Sequence, residues 1–261
     1  IGRPPYISVK GMMLAVRGLV GFLRQETGAQ DVRLVTPKDY AGVLTALEHG
    51  AVDFAWLGPT AYVIGSEKIP LIPLAKAKRR TGGSYFGVIV ARKDSGISRL
   101  EEIKGKTIGF VDPESASGYL YPLKVLLDSG VDPQKDCKAV FLQKHDAVLS
   151  AVWSKKIDVG AVIEDSIAGI HDQKILDQLL VLGKTAEIPT DIVACRKDCD
   201  PVLREAFKKA LLKTGTLKQT SLASSGLPPI MEFLPVNDDD IARVRTFLSE
   251  LRNALQPRAS R

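Results

Sequence analysis

The segment Tyr40–Phe54, YAGVLTALEHGAVDF, recurs without gaps 105 residues later as His145–Val159, HDAVLSAVWSKKIDV. Val43, Leu44, Ala46 and Asp53 return as Val148, Leu149, Ala151 and Asp158. Each copy has apolar residues at helical spacing and then runs into a short apolar stretch, Val52–Trp56 in the first and Ile157–Val162 in the second, so each predicts a helix feeding a buried strand. The order upstream repeats as well. A strand end, a helix over Met12–Gln25 and a strand over Val32–Thr36 precede the first copy, and Lys106–Val111, Gly118–Leu127 and Lys138–Leu142 precede the second.

Strands that alternate with helices predict an α/β chain whose mostly parallel sheets carry helices on both faces. A length of 261 residues exceeds the usual single core, yet no linker rich in Gly, Ser or Pro separates independent domains. The repeat therefore predicts two similar lobes in one unit. The strand-like runs Tyr85–Ala91 and Thr190–Cys195 flank the second copy and suit two crossings between the lobes. This division gives residues 1–86 and 192–261 to lobe 1, inserts 87–191 as lobe 2, and puts hinge strands near 85–91 and 189–195. Ligands of open α/β sheets bind beyond the carboxyl ends of strands, so the cleft between the lobes is the place to look for a site.

On the carboxyl side of strand Thr107–Val111 the chain turns through Asp112-Pro113-Glu114-Ser115-Ala116-Ser117-Gly118 before an apolar helix resumes. Unpaired N–H groups and a positive dipole end at a helix start, with serine hydroxyls beside them, match a tetrahedral oxyanion. The plainer alternative is that Ser115 or Ser117 only caps the helix. His145, at the start of the repeated helix, would offer a ring N–H to the same anion. Thr60, in the turn Gly58-Pro59-Thr60, would face the cleft from the opposite lobe, and Tyr85 at the first crossing could donate its phenol or simply pack. Glu164 and Asp191 are acidic positions suited to an amine at the ligand's other end, or to surface and hinge ion pairs.

Several function classes find little support. The net charge is +6, but the only dense basic run is Lys76, Lys78, Arg79 and Arg80, with no interleaved aromatic platform, which reads as a solvated face and not as a nucleic-acid surface. Cys137, Cys195 and Cys199 lack the CxxC pairs of a zinc site, and Cys195 and Cys199 are as readily free as bridged. No HExxH, GxSxG or Walker sequence is present, and no nucleophile is paired with a base, so neither an enzyme nor a cofactor is expected. No stretch has the roughly 20 apolar residues that cross a bilayer. The start at Ile1-Gly2-Arg3-Pro4 reads as a strand end, as if a targeting segment had preceded it, and order is expected everywhere except over 256–261.

Three blocks carry a family resemblance: KDYAGVLTALEHGAVDFAWLGPTAYV (Lys38–Val63), YFGVIVARKDSGISRLEEIKGKTIGFVDPESASGYLYP (Tyr85–Pro122) and HDAVLSAV (His145–Val152). The sequence resembles the phosphonate-binding proteins of ABC importers over nearly its whole length. The resemblance implies a type II periplasmic binding fold, a periplasmic or otherwise extracytoplasmic location, ligand-driven hinge closure, and delivery to a membrane permease by a monomer. It implies that Ser115, Ala116, Ser117 and Gly118 with His145 and Tyr85 grip a phosphonate head, and that Glu164 and Asp191 fall near the acidic groups that hold an amine. The turn departs from the family's Ser-Thr-Ser at Ala116, and Leu57 stands where some amine-phosphonate binders carry an aromatic residue. Phosphite, methylphosphonate, 2-aminoethylphosphonate and phosphate all stay open as ligands. A ligand-sensing domain of a membrane receptor or kinase would have the same fold and pocket but signal instead of deliver, and Cys195 keeps an arsenite sensor among the alternatives.

Overall fold

In the computed structural model, residues 1–79, 82–216 and 230–256 are described. Eleven strands are found there: β1 (Phe54–Leu57), β2 (Leu71–Arg79), β3 (Ser84–Tyr85), β4 (Gly87–Arg92), β5 (Thr107–Phe110), β6 (Lys138–Phe141), β7 (Val159–Ile163), β8 (Leu179–Lys184), β9 (Ile188–Pro189), β10 (Ile192–Arg196) and β11 (Ile230–Leu234). They form two large sheets, ordered β1-β10-β2-β11 and β6-β5-β7-β4-β8, with β3 and β9 paired on their own.

In the second sheet, β5 lies parallel to both β6 and β7, and β4 runs antiparallel between β7 and β8. In the first, Gly2 makes parallel bridges to Val35 and Ala55, and β10 runs antiparallel between β1 and β2. The second sheet thus has four strands pointing one way and β4 reversed, whereas in the first both β10 and β11 run against β1 and β2, so its parallel pairing is confined to the Gly2 bridges. A crossing segment contributes a reversed strand to each sheet, β4 in one lobe and β10 in the other. The segments meet at β3 and β9, where Ser84 pairs with Pro189 and Tyr85 with Ile188.

The internal repeat is exact in the fold. Its helices span Tyr40–Glu48 and His145–Trp153, and each feeds a fully buried strand, β1 or β7. Close packing sustains the copies: a Cβ on Gly160 of β7 would meet Val148 and Val152 at 2.7 and 2.8 Å. One apolar core lies around Leu23, Leu74 and Phe233 and another around Ile89, Phe110 and Leu123, while a third, with Val43, Leu47, Val148 and Val152, draws on both lobes. Burial at about 25 cal/mol per Å² of apolar surface drives all of them. The long C-terminal helix, Asp238–Leu255, packs on both lobes, with Phe247 stacked on Tyr121 at 3.6 Å, Arg252 paired with Glu67, and Asp240 paired with Lys76.

Two expectations change here. The basic run is not a solvated face: Arg79 is only 5% exposed, and Lys76 and Lys78 pair with Asp240 and Glu232, while Arg80 lies outside the described residues. The reason is strand alternation, which puts Arg79 on the same buried face of β2 as Ala75 and Ala77. The three cysteines are free thiols, and burial pushes that of Cys195 up to about 12. Of the segment expected to be disordered, 257–261 lie outside the described residues.

Candidate functional site

Between the lobes lies a cavity of about 60 Å³, several times the roughly 10–15 Å³ that holds one water. One wall comes from the turn that follows β5. Here the backbone makes a wide π-turn over Ala116–Leu120, with Leu120 N–H donating to Ser115 C=O at 2.9 Å and Tyr121 N–H donating to Ala116 C=O. Such turns commonly mark functional positions. The Ser115 hydroxyl accepts from Gly118 N–H at 3.1 Å and so caps the turn. The Ser117 hydroxyl makes no hydrogen bond among the described residues, although Ser117 is 3% exposed. The N–H groups of Ala116 and Ser117 open the turn and have no backbone partner there, as expected at a helix start. Two glycines permit this packing. A Cβ on Gly118 would sit 2.4 Å from Val111, and one on Gly87 would sit 2.7 Å from the Ser117 carbonyl.

The repeated helices bring their N-termini to the same cavity, with Tyr40 and His145 at equivalent first positions. Their first N–H groups reach across the cleft: His145 N–H donates to Tyr6 C=O at 2.9 Å, and Tyr40 N–H donates to the Asp112 carboxylate at 3.4 Å. The His145 ring is buried, and its Nδ1 accepts from Ile163 N–H at 3.0 Å. The neutral ring therefore carries its proton on Nε2, a donor. Desolvation, and then the charge of Arg79, lower its pKa to about 3, so the ring stays neutral at physiological pH. Burial likewise raises the phenol of Tyr6 to about 12 and holds those of Tyr40 and Tyr85 well above their ordinary value, so all three keep their O–H protons.

The first lobe brings two arginines to the cavity, where Asp165 and Asp191 balance their charge. Arg3 and Arg79 are 2% and 5% exposed and both line the cavity. Arg3 lies over the Trp56 ring at 3.4 Å, and Arg79 over the Tyr85 ring at 4.1 Å. Arg79 Nη1 donates to Asp165 at 2.9 Å, while Asp191 sits 3.7 Å from Arg79 and 3.8 Å from Arg3 and accepts from Trp56 Nε1 at 3.2 Å. Arg3 Nε, Arg3 Nη1 and Arg79 Nε have no hydrogen-bond partner among the described residues. Leaving a buried donor unpaired costs about 1–3 kcal/mol, and more when it is charged. A cation–π contact returns about 0.5–2 kcal/mol. Stacking alone does not offset three such donors, whereas an anion in the cavity would.

A family model described as the ABC-transporter phosphonate periplasmic substrate-binding protein matches residues 1–241. The chain belongs to this family. Its members are substrate-binding components of transporters, not enzymes. Among similar proteins, the phosphate-import protein PhnD of Mycolicibacterium smegmatis is 29% identical over 218 residues, covering 77% of this chain and 66% of that protein. The tetrathionate sensor histidine kinase TtrS of Salmonella typhimurium is 32% identical over 164 residues, covering 59% of this chain and 28% of the kinase. The chain thus spans just under two thirds of the first relative and a little over a quarter of the second. A binding protein component of an ABC phosphonate transporter from Pseudomonas aeruginosa superposes with a TM-score of 0.86 at 24% identity, over 97% of this chain and 87% of that one. The architecture is the two-lobed type II periplasmic binding fold.

Of the positions singled out in this family member, Ser115, Ala116, Ser117, His145, Tyr85 and Asp191 line the cavity. Gly118, Thr60 and Glu164 do not. Gly118 lies behind the turn against Val111, and its N–H is spent on Ser115. Thr60 is fully buried, and its hydroxyl donates to Glu114 C=O at 2.7 Å, tying the first lobe to the turn after β5 in the second. Glu164 points outward to an ion pair with Lys184 at 2.7 Å, and its neighbour Asp165 takes the place at the cavity. Leu57 is fully buried in the apolar core, while Trp56 forms the cavity wall. Sequence reasoning missed Tyr40, Arg3 and Arg79. Tyr40 was discoverable as the repeat partner of His145, and Arg79 as the next inward position after Ala75 and Ala77.

Proposed function

We propose that this chain is the extracytoplasmic substrate-binding component of an ABC importer and captures a small phosphorus oxyanion by closing its lobes around it. The observation that carries the reading is the donor set of one cavity. The Ala116 and Ser117 N–H groups, the Ser117 hydroxyl, His145 Nε2, and the Nε and Nη1 of Arg3 with the Nε of Arg79 all have hydrogens to give and no hydrogen-bond partner among the described residues. Charge-assisted hydrogen bonds of this kind are about twice as strong as neutral ones. The volume of about 60 Å³ suits a head group of a few heavy atoms. Family membership supports phosphonate, and the phosphate-import relative supports phosphate itself, as the ligand class.

The ligand contacts would come from both lobes, so binding favours the closed arrangement. The shift extends only as far as the affinity difference between open and closed states allows. Tyr40, His145 and Thr60, each bonded across the cleft, would serve as the latch. Delivery to a permease follows from the same closed surface.

Isothermal calorimetry with methylphosphonate, phosphite, phosphate and 2-aminoethylphosphonate tests this directly. Saturable binding of at least one, abolished in the double variant Ser117→Ala/His145→Ala, is the expected outcome. Absence of binding across the panel would rule the reading out.

A further inference from the structure

The cavity's two walls ask for different things from a ligand. The second lobe supplies a compact donor nest at Ser115–Ser117 and His145. The first lobe presents Arg3 and Arg79. The carboxylates beside them are already engaged: Asp165 accepts from Arg79 at 2.9 Å, and Asp191 accepts from Trp56 at 3.2 Å and lies within 3.8 Å of both guanidiniums. Three donors of this wall, Arg3 Nε and Nη1 and Arg79 Nε, all in residues more than nine-tenths buried, have no hydrogen-bond partner among the described residues.

An ammonium group has three donors and no acceptor. Set against this wall it would meet two like charges beside the two carboxylates that already pair with them, and the unpartnered guanidinium N–H groups would stay unpaired. A carboxylate matches the fork of an arginine and can accept from two donors at once. We propose that Arg3 and Arg79 determine specificity, selecting a phosphorus oxyanion whose far end is a second anionic group over one whose far end is an ammonium. Asp191 and Asp165 then serve to hold the guanidiniums in place and do not receive an amine. The inference rests on the reading of this cavity as a phosphorus-oxyanion site.

Phosphonoacetate and 2-aminoethylphosphonate form a matched pair, nearly equal in length and differing at the far end in a carboxylate against an ammonium. Calorimetry at about 0.15 M salt, where exposed charges are largely screened, should show phosphonoacetate binding at least tenfold more tightly. Arg79→Met should narrow that ratio to within threefold. Arg3→Lys, which keeps the charge and loses the fork, should narrow it as well. If a variant fails to fold, the wild-type ratio decides alone. Equal affinity for the two compounds at any strength, or a preference for 2-aminoethylphosphonate, would overturn the proposal and leave the oxyanion reading standing. No binding of this pair or of methylphosphonate would overturn both.

Discussion

Ser115 and Ser117 are two residues apart and do different work. Ser115 caps the turn through Gly118 N–H, and loss of such a cap costs about 1 kcal/mol. The free hydroxyl of Ser117 contributes nothing to the fold among the described residues. Ser115→Ala should therefore lower the urea midpoint, whereas Ser117→Ala should stay within about 0.5 kcal/mol of wild type and lose tenfold or more in oxyanion affinity. Equilibrium unfolding and calorimetry on the same samples would separate the two. His145 makes a pH prediction. The unfolded imidazole takes a proton below its ordinary value of 6.5, while the folded one resists until about 3. Between those limits the unfolded state binds more protons, so stability is full above 6.5 and falls as pH drops toward 3. His145→Gln removes that penalty. Its stability relative to wild type should improve by roughly 1.4 kcal/mol per pH unit on acidification through this window, as read from urea midpoints at pH 7 and pH 4.5.

Among the elements, the π-turn after β5 depends on glycine. The contact of 2.4 Å that a Gly118 Cβ would make with Val111 lies below any real packing distance, and overpacking of this kind costs about 1–3 kcal/mol. Gly118→Ala should lower the urea midpoint with an unchanged slope. It should also weaken oxyanion binding, because the Ala116 and Ser117 amides shift with the turn. The repeat shows how much of this was legible in sequence. Helical spacing and gapless identity located both helix starts, and with them His145. The same logic extends to Tyr40, which the repeat aligns with His145. Arg79 was hidden because charge density reads as surface, while its burial depends on β2 alternation and on Asp165 and Asp191, 86 and 112 positions away in the chain. Arg3 lies near the start of the chain and is tied in by Trp56 and Asp191, contacts that no local pattern encodes.

For the whole molecule, the reversed strands β4 and β10 and the short β3–β9 pair make the only strand-level crossings between the sheets among the described residues. The C-terminal helix spans both lobes through Phe247, Arg252 and Asp240. If closure is ligand-driven, small-angle scattering should show a smaller radius of gyration with saturating ligand than without it, and Thr60→Val, which removes a hydroxyl bonded across the cleft, should weaken binding. The most direct test of the central claim, that the donors of both lobes hold one phosphorus oxyanion, is a calorimetric titration of wild type and of Ser117→Ala/His145→Ala with the tightest-binding member of the phosphonate, phosphite and phosphate panel. The account predicts one site per chain in the wild type and none in the double variant. Unchanged affinity in that variant, or no binding by the wild type, would contradict it.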